Sequence, residues 1–333
     1  MKAVFLCEKQ DKIRQVYGKE TLESLFATAG LTSTVYSKAE VLENPSHFAD
    51  TELVFSTWGM PAFSAEEIKR CFPVLRAVFY AAGSVQSFAR PFLECGVQVF
   101  SAWAANAVPV AEYTVAQILL SNKGFFTQSR LMKQGDLAAT KNLKEKYHGN
   151  YGERVGLIGV GMIGSLVAKM LREYQLEVVA YDPFLSDARA KELGVTRVSL
   201  QELFSTGFTV SNHLANNAQT RGMLNGDLFA RMRPYATFLN TGRGAQVVEA
   251  DLVQVLTDRP DLTAVLDVTY PEPPAPGHPF YTLPNCVLTP HIAGSLANET
   301  QRMAAYMEEE YQRYRKGEIC RYGVTLSMLE TMA

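Results

Sequence analysis

The chain has 333 residues, 47% of them apolar and 20% charged, an ordinary globular balance at a length where two domains are the default expectation. Lys plus Arg number 32 and Asp plus Glu 34, a formal net charge of -2, and no like-charge run reaches five residues. That profile excludes a disordered or collagen-like chain and a dedicated nucleic-acid or polyanion binder. Cys7, Cys71, Cys95, Cys286 and Cys320 are scattered, odd in number and without a CxxC pair. Reduced thiols, no metal and a cytoplasmic setting are the expectation. MKAVFLCEK is too short an apolar start for a signal peptide. The most apolar window, 97–120, is interrupted by Asn106, Pro109 and Glu112, so no membrane span is expected.

Short β-branched and aromatic runs alternate with helical patterns, which predicts parallel sheets covered by helices. Strands are expected at about 2–7, 32–37, 52–57, 75–81 and 97–101, with helices such as Thr21–Ala29 and Ala65–Cys71 between them. Gly30 stands where a C-terminal cap would. Pro109 fits the first turn of a long helix reaching about Ser121, with Val108, Val115, Ile118, Leu119 and Leu120 giving it a broad buried face. The polar stretch Lys133–Glu153 reads as an irregular connection. A second series of strands is expected at about 155–159, 177–181, 208–213, 236–240, 262–267 and 287–290. The last helix, Ala297 to Lys316, carries an apolar stripe of Met303, Met307, Tyr311 and Tyr314 and ends at Gly317. The fold class predicted is α/β, with two doubly wound parallel-sheet units.

GLIGVGMIG (156–164) places Gly159, Gly161 and Gly164 between a strand-like run and a helical one. In a dinucleotide-binding turn the first glycine makes the tight bend and the second admits the pyrophosphate. The third lets helix and strand approach, and the helix N-terminus offers amides and a positive dipole to the phosphates. Asp182 ends the next strand, where an acid hydrogen-bonds the adenosine ribose and disfavours a 2′-phosphate, so NAD is expected over NADP. Further on, ATFLNTGRG (236–244), AVLDVTYPEPP (264–274) and CVLTPHIAGS (286–295) put Arg243, Asp267 with Glu272, and His291 at or after predicted strand ends. An Arg can hold a carboxylate and polarise the adjoining carbonyl. A His can give or take a hydroxyl proton, and a neighbouring carboxylate fixes its tautomer and stabilises the imidazolium. This set suits hydride transfer on a 2-oxo or 2-hydroxy acid, although spacing alone does not bring the three together.

NAVPVAEYTVAQILL (106–120), GLIGVGMIG with YDP (181–183), NTGRGAQVVEADL (240–252), LDVTYPEPP (266–274) and LTPHIAGS (288–295) together resemble the D-isomer-specific 2-hydroxyacid dehydrogenase superfamily. That superfamily includes phosphoglycerate dehydrogenase and glyoxylate/hydroxypyruvate reductase. The resemblance spans roughly residues 75 to 300. It implies a Rossmann-type NAD-binding domain over 105–296, inserted in a flavodoxin-like substrate domain made of 1–104 plus 297–333, with hinges near 105 and 296. It implies catalytic roles for Arg243 on the substrate carboxylate and for His291 paired with Glu272. Cofactor contacts would come from Gly159, Gly161, Met162, Ile163, Gly164, Asp182, Thr241, Gly242, Arg243, Asp267, His291 and Gly294. Ala82 and Gly83, in FYAAGSV (79–85), would cradle the substrate carboxylate with Arg243.

Some positions depart from the family pattern. Val85 stands where an Asp is frequent, Gly242 where Ala or Ser is common, and Asn216-Asn217-Ala218 where Pro-Leu-Thr is usual, close to His213, a further candidate near the cofactor. Glu272, where formate dehydrogenases have Gln, argues against that activity. The expectation is an NAD-dependent oxidoreductase interconverting a small 2-oxo acid and its D-2-hydroxy acid, homodimeric through the nucleotide domain. The alternative is a non-enzymatic NAD(H)-sensing corepressor-like protein on the same fold. His47, His148 and His278 read as surface or loop residues, and Trp58 and Met60 as either pocket lining or domain-edge packing.

Overall fold

The structure is a computed structural model that describes residues 2–330. The chain divides into two compact units. One runs to Asn106 and resumes at Ser295, and the other is Ala107–Gly294. Strands of the first are β1 (Lys2–Leu6), β2 (Val35–Tyr36), β3 (Thr51–Ser56), β4 (Ala77–Tyr80) and β5 (Gln98–Ser101). Those of the second are β6 (Tyr151–Ile158), β7 (Gln175–Tyr181), β8 (Thr196–Arg197), β9 (Thr209–Asn212), β10 (Thr237–Asn240), β11 (Thr263–Leu266) and β12 (Cys286–Leu288). A short β13 (Gly323–Val324) returns to the first sheet.

In the first unit the strand order is β13-β5-β4-β3-β1-β2, parallel except for β13 against β5. Because helices cover both faces, its strands are apolar almost throughout. Phe55, Phe79 and Phe100 stack across β3, β4 and β5 with ring centroids 5.0 Å apart at each step. Tyr311, from the helix Thr300–Lys316, meets the first two edge-on, and burying each such ring is worth about 1.5–3 kcal/mol. Met303, Met307 and Tyr311 are buried, as the stripe required. The opposite face is filled by Phe48, Phe63, Phe72, Phe88 and Phe92. Met60 packs there too, whereas the Trp58 side chain is exposed, its carbonyl accepting from the Cys7 thiol. Ser64 caps Ala65–Cys71 reciprocally with Glu67, and Gly30 and Gly317 both end helices in the left-handed conformation.

The second sheet, β12-β11-β10-β9-β6-β7-β8, is parallel throughout. Its order reverses between β6 and β9, and ligands of such sheets bind beyond the carboxyl ends of the strands at that reversal. Since every strand points the same way, residues 159, 182, 213, 241, 267 and 289 emerge along one edge.

Several expectations need correction. Pro109 lies inside the helix Trp103–Asn122 rather than in its first turn. The Trp-Ala-Ala-Asn-Ala run ahead of it is helix-forming enough to outweigh one missing N–H. The stretch expected to be irregular contains the helix Leu137–Leu143, capped by Asp136, and follows the helix Phe125–Lys133. Strand β6 begins at Tyr151, earlier than its apolar run, with a register shift between Tyr151 and Arg154. The helix predicted at Thr21–Ala29 is the second half of Gln10–Ala29, broken at Gly18 with φ 64. The two-residue strands β8 and β13 lie outside every predicted run, whereas β2, equally short, falls within 32–37.

Candidate functional site

The glycine turn is built by contact distances. A Cβ on Gly164 would lie 2.1 Å from the Gly159 carbonyl oxygen, and one on Gly159 would lie 3.1 Å from the His213 backbone. Nothing stands within 4 Å of a Cβ on Gly161, so the turn is tight on two sides and open on the third. Met162 and Ile163 begin the helix Met162–Leu171, which has no side-chain cap and no acid in its first turn. Its first amides and dipole therefore face a space suited to a phosphate. Asp182 braces the same turn. One carboxylate oxygen accepts from the Val160 amide at 2.9 Å and the other from the Phe184 amide at 2.8 Å. Each oxygen has a further lone pair for a ribose hydroxyl. These residues fit a dinucleotide.

His213 sits under this turn. Its Nε2 is 2.9 Å from Ser211 Oγ, while Nδ1 is buried with no hydrogen-bond partner. Burial pushes its pKa down to about 3. The unfolded chain, with an ordinary histidine near 6.5, binds a proton between these values that the folded one refuses. Stability therefore falls as pH drops from about 6.5 toward 3. In urea unfolding, His213→Gln should lose less stability than the native protein between pH 7 and pH 5, by up to about 2 kcal/mol. Identical losses would show that His213 is protonated in the folded state.

Arg243, Asp267 and His291 follow the neighbouring strands β10, β11 and β12. Gly244 has no room for a side chain, since a Cβ would meet the Thr269 backbone at 2.0 Å. The Arg243 turn is thereby pressed onto the loop that carries Glu272, and the Tyr270 amide in that loop donates to Glu249 Oε1 at 2.8 Å. Glu272 Oε1 lies 2.6 Å from His291 Nδ1. Arg243 Nη1 donates to the Gly242 carbonyl at 2.7 Å, and burial lowers the guanidinium from its usual range while Glu272 opposes that shift.

Asp267 is buried and serves the histidine loop. Its carboxylate accepts from Thr289 Oγ1 and from the Ile292 and Ala293 amides at 2.6, 2.8 and 2.9 Å, and its carbonyl accepts from the His291 amide. That frame holds His291 at φ 53, a left-handed conformation uncommon for a non-glycine residue and typical of functional loops. Thr241 is buried, 3.3 Å from Thr114 Oγ1, and Gly294 follows Ala293 in the half-buried end of the loop. In the first unit, Ala82 is fully buried and its amide donates to the Tyr80 carbonyl at 2.9 Å, so its N–H is not aimed at a ligand. Gly83 is half-buried, and its carbonyl accepts from Ser101 Oγ.

His47 and His148 have exposed side chains with polar partners, Tyr36 and Glu153. His278 is half-buried, and its Nδ1 accepts from the Phe280 amide. Three buried amides beneath the Arg243 turn, Asn212, Asn240 and Gln246, escaped the sequence reading. The available signal was asparagine closing two central strands where apolar residues would be expected. Among the described residues, no helix is long and apolar enough to cross a membrane and no cluster of three His, Cys, Asp or Glu side chains could hold a metal.

Comparison with known proteins decides the family. The profile of the D-isomer specific 2-hydroxyacid dehydrogenase NAD binding domain matches residues 115–293. The chain belongs to this family. Residues 115–293 are its NAD-binding domain, and the glycine turn, Asp182 and the Arg243, Asp267 and His291 loops all lie inside that match. The D-3-phosphoglycerate dehydrogenase of Archaeoglobus fulgidus is 30% identical over 235 residues, 71% of this chain and 44% of that one. The chain thus spans about half the length of the curated relatives it matches. Among solved structures, the TT0316 protein of Thermus thermophilus superposes with a TM-score of 0.71 at 27% identity, covering 97% of this chain and all of that one. The D-mandelate dehydrogenase of Rhodotorula graminis has a TM-score of 0.78 at 20% identity over 97% of each chain, a likeness of fold.

Proposed function

We propose that the protein is an NAD-dependent oxidoreductase that interconverts a small 2-oxo acid and its D-2-hydroxy acid. In the reducing direction, 2-oxo acid, NADH and a proton give hydroxy acid and NAD. The observation that carries the reading is the 2.6 Å contact of His291 Nδ1 with Glu272 Oε1, on the sheet edge that also bears Arg243. With Nδ1 engaged, Nε2 is the nitrogen left to exchange a proton with the substrate oxygen. The bound nicotinamide supplies or receives the hydride. Arg243 holds the substrate carboxylate by paired charge-assisted hydrogen bonds and draws electron density from the adjoining carbonyl. His291 gives its Nε2 proton to the carbonyl oxygen in reduction and takes the hydroxyl proton in oxidation. Glu272 orients the ring and stabilises the cation that forms. Exposed Phe125, Met132 and Leu137, on the two helices that follow Trp103–Asn122, suit a homodimer formed through the nucleotide-binding unit.

Loss of NADH absorbance against glyoxylate, hydroxypyruvate, pyruvate, 2-oxoisocaproate and phenylpyruvate, with NADPH run in parallel, tests the reading. Turnover of at least one acid with NADH is expected. A carboxylate already held against the glycine turn repels a 2′-phosphate, so NADPH should be at least tenfold poorer. Tight NADH binding without turnover of any acid would favour the sensor instead, and preference for NADPH would refute the role of Asp182.

A further inference from the structure

We infer that Asn212, Asn240 and Gln246 form a buried amide relay that positions Arg243 for the substrate carboxylate and ties it to the dinucleotide turn. The inference rests on Arg243 being the anion-binding residue. All three side chains are fully buried. Gln246 Oε1 accepts from the Arg243 amide at 3.1 Å and from Asn212 Nδ2 at 2.6 Å. Asn240 Oδ1 accepts from the Gly242 amide at 3.0 Å and from Asn212 Nδ2 at 2.9 Å, and Asn240 Nδ2 donates to the Arg243 carbonyl at 3.3 Å. The Arg243 amide is therefore held by the Gln246 side chain, and its carbonyl by the Asn240 side chain together with the Gln246 backbone N–H.

The relay continues toward the cofactor. Gln246 Nε2 donates to the Leu214 carbonyl at 2.8 Å, and the Leu214 amide donates to Asn212 Oδ1 at 3.2 Å. Leu214 N in turn lies 3.2 Å from where a Cβ on Gly159 would stand. A hydrogen-bonded path thus runs from Arg243 to Leu214, beside the first glycine of the turn. A buried polar network that is satisfied at each of these positions makes its segment rigid, and one that loses a member leaves several costly orphans. The relay also explains Gly242: a Cβ there would lie 2.7 Å from Gln246 Oε1 and 2.8 Å from Asn212 Nδ2. A side chain at 242 would push both amide ends out of their present positions.

The test is equilibrium binding of oxalate, a small carboxylate that accepts no hydride, to the NADH-loaded full chain. NADH affinity and thermal midpoint are measured on the same samples. Gln246→Met keeps volume and removes both polar ends. It should weaken oxalate at least tenfold while NADH affinity changes less than threefold. Asn212→Leu, which leaves Gln246 in place, should act in the same direction and decides the matter if the first variant does not fold. A folded variant that binds oxalate like the native protein overturns the relay alone, as does one that loses oxalate and NADH in equal measure. A native protein that binds NADH but no oxalate overturns both the relay and the role given to Arg243.

Discussion

His291→Ala is expected to lower turnover of the preferred 2-oxo acid by about 10²–10⁴-fold, the usual worth of a positioned general acid, while NADH binding changes less than threefold. The loop frame does not depend on the imidazole. Asp267 receives the Thr289 hydroxyl, the Ile292 and Ala293 amides and the His291 backbone N–H, and none of these is lost with the ring. What is lost is the Glu272-held nitrogen pair. His291→Asn is the matching control, because asparagine tolerates the left-handed backbone at φ 53 better than alanine does. Both variants should fall together in single-turnover and steady-state assays. Recovery of turnover in the asparagine variant would mean that backbone geometry, and not proton transfer, was the contribution of His291. Equal collapse of turnover and NADH affinity would assign the residue to the fold.

The strands that matter for the site were legible because β-branched and apolar runs such as TFL and TAVL can be buried on both faces. Their carboxyl ends are where the titratable residues stand, so Arg243, Asp267 and His291 could be placed on one edge before any contact was known. The partner of each carboxylate was not legible. Asp182 and Asp267 both read as acids waiting for a ligand, yet each spends hydrogen bonds on nearby backbone amides. A sequence states that an acceptor exists but not which N–H reaches it first. The Glu272–His291 pair came from resemblance, since nineteen positions of loop and strand separate the two and no periodicity joins them. Ala82 shows the opposite limit: a loop motif was read correctly as a loop, but the direction of one amide, toward Tyr80, is a backbone dihedral that side-chain identity does not encode. Strand β8, two residues long, offers too little pattern for any period to appear.

Arg243→Lys should cost about 10²–10³-fold in kcat/KM, with KM rising more than kcat falls. A lysine retains a charge but cannot present two parallel N–H groups to a carboxylate, and each charge-assisted hydrogen bond is worth about 1.5–3 kcal/mol. The same variant carries a second, distinct signature. Burial already lowers the Arg243 guanidinium from its usual range, with Glu272 opposing. Arginine begins so high that it stays charged throughout the working range. An ammonium in the same place begins near 10.4, and the same burial lowers it further. Because the neutral form cannot hold an anion, the fraction of competent enzyme falls as pH rises through that lowered value. The residual kcat/KM of Arg243→Lys should therefore decline across the alkaline range relative to the native protein, and relative to an Arg243→Gln variant that has no charge to lose. Parallel pH profiles for all three would show that residue 243 does not meet the substrate carboxylate. A decline confined to the lysine variant, seen in KM and absent from NADH affinity, would tie that residue's charge to the acid.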